Sequence, residues 1–267
     1  MLFLHGFPEY WAAWEDVMPY FGASHYAVAP DLRGFNLSSQ PSEVAAYRMR
    51  EIVDDAERFV QHLGYQSAIV IGHDWGGAAA WLWAVAHPDR VERLIVLNSP
   101  HPIPFARELV HSSQQREASA YMNWLRAPGS ESALAKKDYA LLDSFFLSMK
   151  REDAPWYTPE HAHRYRKVWQ RGLSGGINYY RASPLYPPTD ADPGPSNLQL
   201  DPTQFRVRVP TLVIWAEADT ALPARLLDGL DELVDDLTVE RIERGTHWVA
   251  HEEPHTLAKL IADYLLG

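Results

Sequence analysis

Ile71-Gly72-His73-Asp74-Trp75-Gly76-Gly77 follows the apolar run Ser67-Ala68-Ile69-Val70 and leads straight into Ala78-Ala79-Ala80-Trp81-Leu82-Trp83. The order is strand, glycine-pinched turn, helix, with an aspartate at the tip where the related G-x-S-x-G elbow carries serine. Such a turn lifts its central side chain above the carboxyl ends of a sheet, where the crevices of open α/β sheets form. The flanking glycines permit close backbone contact and a strained angle. The positive end of the following helix favours the Asp74 carboxylate. A carboxylate nucleophile forms an ester, so the expected substrate is attacked at an sp3 carbon. An aspartate opening a helix is also an ordinary N-cap, and the rest of the chain must decide between the two.

Outward from the elbow, apolar runs of strand length fall at Leu2–Leu4, Tyr26–Ala29, Ala68–Ile71, Leu94–Leu97, Thr211–Trp215 and Leu237–Ile242. Helical patterns lie between several of them, the alternation of a mostly parallel sheet flanked by helices. The strongest helix pattern runs from Tyr47 to Leu63, with Ile52, Val53, Ala56 and Val60 on one face and Gly64 placed to end it. The last runs from about Pro254 to Leu266. Between Pro100 and Gln204 the strand pattern stops. Helical stretches at Tyr121–Leu125, Ser132–Lys150 and Pro159–Leu173 give way to a proline-rich return from Pro184 to Pro202. Because strands resume at Thr211 and need a sheet to join, we read residues 101–204 as a helical cap inserted into a core of residues 1–100 and 205–267.

Composition narrows the function. A 267-residue chain with 46% hydrophobic residues can bury a full α/β core. A formal net charge of −11 disfavours nucleic acid and anionic membranes as partners. With no cysteine, thiol nucleophiles, disulfides and Cys-based zinc sites are excluded, and a reducing compartment is the default. No apolar run approaches the ~18 residues that suggest a membrane span, and Met1–His5 lacks the features of a signal peptide. A cytoplasmic protein is expected, and a homodimer is compatible with the sequence.

Two later segments support the nucleophile reading. Strand Thr211–Trp215 runs into Ala216-Glu217-Ala218-Asp219, and after the next strand comes Arg244-Gly245-Thr246-His247-Trp248. Nucleophile, acid, histidine is the chain order of hydrolases with this elbow. An ester at Asp74 needs water activated by a base that titrates near neutrality, and His247 is the candidate. Asp219 would orient its ring and stabilise the imidazolium, with Glu217 as a competitor. The turn His5-Gly6-Phe7-Pro8 can aim the Phe7 N–H at a developing oxyanion, with the Trp75 N–H as second donor. His161, His163, His251 and His255 read as surface histidines, since a metal site needs three or four convergent ligands. The acidic run Asp228–Asp236 reads as a solvated helix face. No metal or cofactor is expected.

Taken together, His5-Gly6-Phe7-Pro8-Glu9, Asp31-Leu32-Arg33-Gly34-Phe35, Gly72-His73-Asp74-Trp75-Gly76-Gly77, Asn98-Ser99-Pro100-His101-Pro102 and Gly245-Thr246-His247-Trp248 resemble the epoxide hydrolases of the α/β-hydrolase fold. The resemblance spans nearly the whole chain. It implies that Asp74 opens an epoxide while two cap tyrosines donate hydrogen bonds to its oxygen. Gly176-Ile177-Asn178-Tyr179-Tyr180-Arg181 matches the N-[WY]-Y-R segment of that family and makes Tyr180 one of them. Tyr121, ahead of Pro128-Gly129, fits the other, with Trp124 beside it as a pocket residue. The pair meets a chemical need, because an alkoxide leaving group must be given a proton or strong hydrogen bonds, and two phenols can supply them at neutral pH.

The elbow and His-Gly-x-Pro motifs are shared with haloalkane dehalogenases, which would cradle halide with Trp75 and Trp124 and need no proton donor. Haloacid dehalogenases carry arginine where this chain has Trp75. A third reading is a catalytically weak ligand-binding module. The implied substrate is a small apolar epoxide, with water as second reactant. The family has two further strands ahead of its His-Gly-x-Pro motif, whereas here His5 is the fifth residue. The sheet is therefore expected to be short at one edge, far from the elbow, or the gene start truncated.

Overall fold

The computed structural model describes residues 1–149 and 151–267. Five strands form one parallel sheet in the order β1 (Leu2–Leu4), β2 (Ala68–His73), β3 (Val91–Leu97), β4 (Thr211–Ala216) and β5 (Leu237–Ile242). The helices are α1 (Met49–His62), α2 (Trp75–Ala86), α3 (Pro102–His111), α4 (Ser113–Ala118), α5 (Ala120–Arg126), α6 (Ser130–Leu134), α7 (Lys136–Ser148), α8 (Pro159–Trp169), α9 (Ser174–Ala182), α10 (Val249–Glu252) and α11 (Pro254–Leu266). Helices α3 to α9 all lie between β3 and β4. Among the described residues, no helix is long and apolar enough to cross a membrane.

The central strands are apolar at nearly every position because both faces are covered. Alternation along them sorts the side chains. Phe3, Ile71, Ile95, Leu97, Leu212 and Ile214 pack with Trp14, Val17 and α11 on one face. Leu2, Leu4, Val70, Leu94, Val96, Val213 and Trp215 pack with α1, α2 and the inserted helices on the other. The five-strand order hides one reversal. After β1 the chain crosses to Val28, which bridges Leu2 on the side away from β2, and only then returns through α1 to β2. The divergence between β1 and β2 is the crevice-forming switch point of an open α/β sheet. Both His5–Pro8 and the Asp74 elbow leave the sheet there.

Several expectations are corrected. Tyr26–Ala29 is not a full strand: the Phe3 N–H donates to Val28 O at 2.9 Å and the Val28 N–H to Met1 O at 3.0 Å, and Pro30 lacks the donor needed to continue. The β1 edge adjoins the elbow strand β2 and is not remote from it. Helix α1 starts at Met49, because Arg48 is extended and Val44–Tyr47 forms a separate 3₁₀ turn. Gly64, at φ 88°, ends it as expected. The stretch Ser132–Lys150 is not one helix: α6 ends at Leu134, and α7 is kinked in its first turn, where Lys137, Asp138 and Tyr139 take left-handed angles; Lys150 itself lies outside the described residues. The acidic run is largely solvated but forms a short 3₁₀ turn at Leu230–Glu232 and no α-helix.

Candidate active site

Asp74 sits at φ 50° and ψ −120°, and its side chain makes no cap to α2. The N-cap reading fails on that geometry. Close packing enforces the turn: a Cβ on Gly76 would lie 2.2 Å from Leu4 O, and one on Gly77 2.3 Å from the Ser99 Cβ. The Ser99 hydroxyl donates to Asp74 O at 2.7 Å, and the Phe7 N–H donates to Asp74 Oδ1 at 2.8 Å. Gly6 lets that loop in, since a Cβ there would stand 2.3 Å from Oδ1. His5 fixes the loop from beneath. Its Nε2 accepts from the Leu32 N–H at 3.0 Å and its Nδ1 lies 2.9 Å from Gly6 O, an arrangement suited to the neutral imidazole that burial also favours. The Phe7–Pro8 bond is cis.

His247 Nε2 stands 3.9 Å from Asp74 Oδ2, and its Nδ1 lies 2.7 Å from Asp219 Oδ2. Asp219 is buried and also accepts from Asn98 Nδ2 at 2.8 Å and from the N–H groups of Ala221 and Leu222 at 2.8 and 3.0 Å. Burial works to raise its carboxyl, but His247, Asn98 and the backbone donors hold it below the usual range. Burial likewise pushes the His247 imidazole down, yet Asp219, then Asp74 and Glu9, outweigh it and bring it to about 9. Glu217 is paired with Arg241 at 2.6 Å and is not the partner of His247.

Tyr121 and Tyr180 line both cavities that share Asp74, one of about 470 Å³ and one of about 200 Å³. The larger is walled mainly by apolar side chains such as Leu82, Phe105, Met122 and Leu185, and the smaller contains His247. The tyrosine ring centroids are 6.0 Å apart, and Tyr180 packs edge-on against Phe7 and Trp75. Burial, then the neighbouring Asp74 charge, raises the Tyr121 phenol; burial, then Tyr121 and Asp74, raises that of Tyr180, so both stay protonated donors. Helix α9 is set by the Tyr179 hydroxyl, which donates to Arg33 O at 2.9 Å, and by a glycine contact in which a Cβ on Gly175 would lie 2.3 Å from the Gly34 Cα.

Trp75 is buried against the larger cavity, and among the described residues its indole N–H has no partner of good hydrogen-bond geometry. Trp124 does not join it. It is 39% exposed and lines neither cavity, because α5 turns Met122 and Leu125 inward, so Trp124 is not placed to supply the second indole of a halide cradle. His251 is also corrected: its side chain is only 5% exposed, with Nε2 2.7 Å from Glu9 Oε1. Glu9 in turn lies 3.4 Å from His73 Nδ1 and accepts from the Tyr165 hydroxyl at 3.1 Å. Burial opposes ionisation of Glu9, but His251 and His73 hold it far below the carboxylate range. Among the described residues no cluster of His, Cys, Asp or Glu could hold a metal ion.

Sequence reasoning assigned no role to Asn98, Ser99, Glu9 or His73. Asn98 was open to detection: it follows β3 as Asp74 follows β2, and Asp219 lies just beyond β4.

A carboxylate on a strand-to-helix elbow, with an acid and a histidine beyond later parallel strands, defines the class of α/β hydrolases. The model of the alpha/beta hydrolase fold family matches residues 1–254. The AB hydrolase superfamily protein YfhM of Bacillus subtilis is 32% identical over 270 residues, covering 99% of this chain and 89% of its own. Epoxide hydrolase 3 of Xenopus tropicalis is 32% identical over 281 residues, covering 99% of this chain and 71% of its own. A variant of Bacillus megaterium epoxide hydrolase, solved with its naphthyloxy-propane-1,2-diol product, superposes with a TM-score of 0.90 at 29% identity, covering 100% of this chain and 93% of its own. This chain belongs to the alpha/beta hydrolase fold family and, within it, to the epoxide hydrolases.

Proposed function

We propose that the protein converts small apolar epoxides to vicinal diols through an ester on Asp74, with residues 101–204 acting as the cap. One observation carries the reading: an elbow carboxylate stands 3.9 Å from His247 and shares two cavities with two protonated phenols. Asp74 Oδ2 attacks a ring carbon and the C–O bond breaks. Tyr121 and Tyr180 stabilise the departing oxygen and deliver its proton. Asp74 Oδ1, already held by the Phe7 N–H, becomes the ester carbonyl oxygen.

Alkylation removes the negative charge of Asp74, one of the charges holding the proton on His247. The imidazole therefore gives up its proton more readily, restoring the phenol that protonated the epoxide oxygen, and is neutral at the moment the ester requires a base. It takes a proton from water as hydroxide adds at the Asp74 carboxyl carbon; the oxyanion is met by the N–H groups of Phe7 and Trp75, and its collapse breaks the ester C–O bond, the proton of the regenerated Asp74 carboxyl passing to the leaving diol oxygen. Asp219 orients the ring and stabilises the imidazolium whenever it forms.

The exposed position of Trp124 weighs against the haloalkane reading. A panel of terminal, styrene-type and aliphatic epoxides alongside chloro- and bromoalkanes tests it, with diol and halide both measured. We expect diol; halide without diol overturns the proposal, and neither product from folded protein favours a binding module. His247→Gln is expected to accumulate protein carrying one added substrate mass, and Asp74→Asn to carry none. A cysteine-free chain suits the cytoplasm, and sedimentation is the test of a homodimer.

A further inference from the structure

Two arginines take no part in that chemistry, yet each ends the helix of the other. Arg126 closes α5, which carries Tyr121 in its first turn. Its Nη1 donates to the carbonyl oxygens of Tyr180 and Ser183, both at 3.0 Å. These belong to the C-terminal end of α9, where an α-helix leaves its carbonyls without internal partners. Arg181, in the last turn of α9, does the reverse. Its Nε and Nη2 reach the carbonyls of Arg126 and Ala127 at 3.4 Å each, and its guanidinium grips Glu131 at the start of α6, with Nη2 to Oε2 at 2.9 Å. The Arg126 guanidinium also lies 3.4 Å over the centroid of the Tyr186 ring. That contact ties in the chain just beyond Ser183, Pro184 and Leu185, which wall the larger cavity.

Helices of 7 and 9 residues are too short to hold themselves. Their placement comes from tertiary contacts, and the arginine exchange joins the two helices directly. We propose that Arg126 and Arg181 are positioning residues that set the separation and aim of the Tyr121 and Tyr180 hydroxyls. The proposal rests on the reading that these phenols receive the epoxide oxygen. One bond goes to the carbonyl of Tyr180 itself, so any shift of Arg126 passes directly to that residue's backbone. Ring opening needs both hydroxyls within hydrogen-bond reach of one oxygen. Ester hydrolysis uses His247 and Asp219, which neither arginine touches. The clamp therefore acts on the first half-reaction alone.

Single-turnover stopped flow with styrene oxide, following tryptophan fluorescence, separates the two steps. Arg126→Met is expected to slow ring opening by roughly tenfold to a hundredfold, the penalty typical of a small misplacement of reacting groups, and to leave ester hydrolysis unchanged. Arg126→Lys, which keeps the charge and can reach one carbonyl, restores part of the rate. Arg181→Lys shows the same selective loss and carries the test if Arg126→Met does not fold. Ring opening unchanged in the folded variants, or a proportional fall in both steps, overturns the clamp alone. No ester in the parent protein overturns the epoxide reading and this assignment with it.

Discussion

At Asp74 the backbone holds a non-glycine residue at φ 50°, a conformation that costs on the order of 1–3 kcal/mol. That strain is the condition for aiming a carboxylate away from its own helix and toward His247. It is separable from the chemistry. Asp74→Gly and Asp74→Ala both remove the nucleophile, but only glycine relaxes the angle, so we expect Asp74→Gly to be more stable than Asp74→Ala by roughly 1 kcal/mol or more in urea melts. Equal stabilities would show that the turn is not strained. The candidate nucleophile and histidine could be read from chain order alone. What order could not do was choose Asp219 over Glu217, two residues apart, because that choice depends on the turn after β4 and on Asn98 reaching across from β3.

Between elements, the elbow works because α2 lies almost against β1. A Cβ on Gly76 would meet backbone oxygen of Leu4, which no side-chain rotation can relieve. Gly76→Ala is therefore expected to destabilise by about 3 kcal/mol or more and to impair activity with it; a melting curve like the parent's would contradict this packing. The strands and α1 were legible because short continuous apolar runs and a 3.6-residue apolar period are local properties of the chain. The inserted helices were less so. The break near Lys137–Tyr139 carries no proline or glycine signal, and α5 places Trp124 outward although it lies one turn from Tyr121. The direction of a short helix is decided by what it packs against.

Across the molecule, the site is assembled from both sequence halves, and its electrostatics depend on that assembly. The imidazole of His247, raised to about 9 in the folded protein against an ordinary value of 6.5, binds its proton more tightly when folded. Its contribution is fully present below pH 6.5 and is lost as pH rises through about 9, an effect of roughly 3 kcal/mol. Denaturant midpoints of the parent are expected to fall across that window relative to His247→Gln; parallel curves would contradict the assigned ion pair. The amino-acid sequence by itself determined the sheet, the elbow and the chain order of the candidate groups Asp74 and His247, because hydrophobic patterning, glycine placement and strand order are written along the chain. Only the tertiary structure decided which acid faces the histidine, where Trp124 points and how the two tyrosines meet over Asp74. Those depend on packing between segments distant in sequence, and no local pattern encodes it.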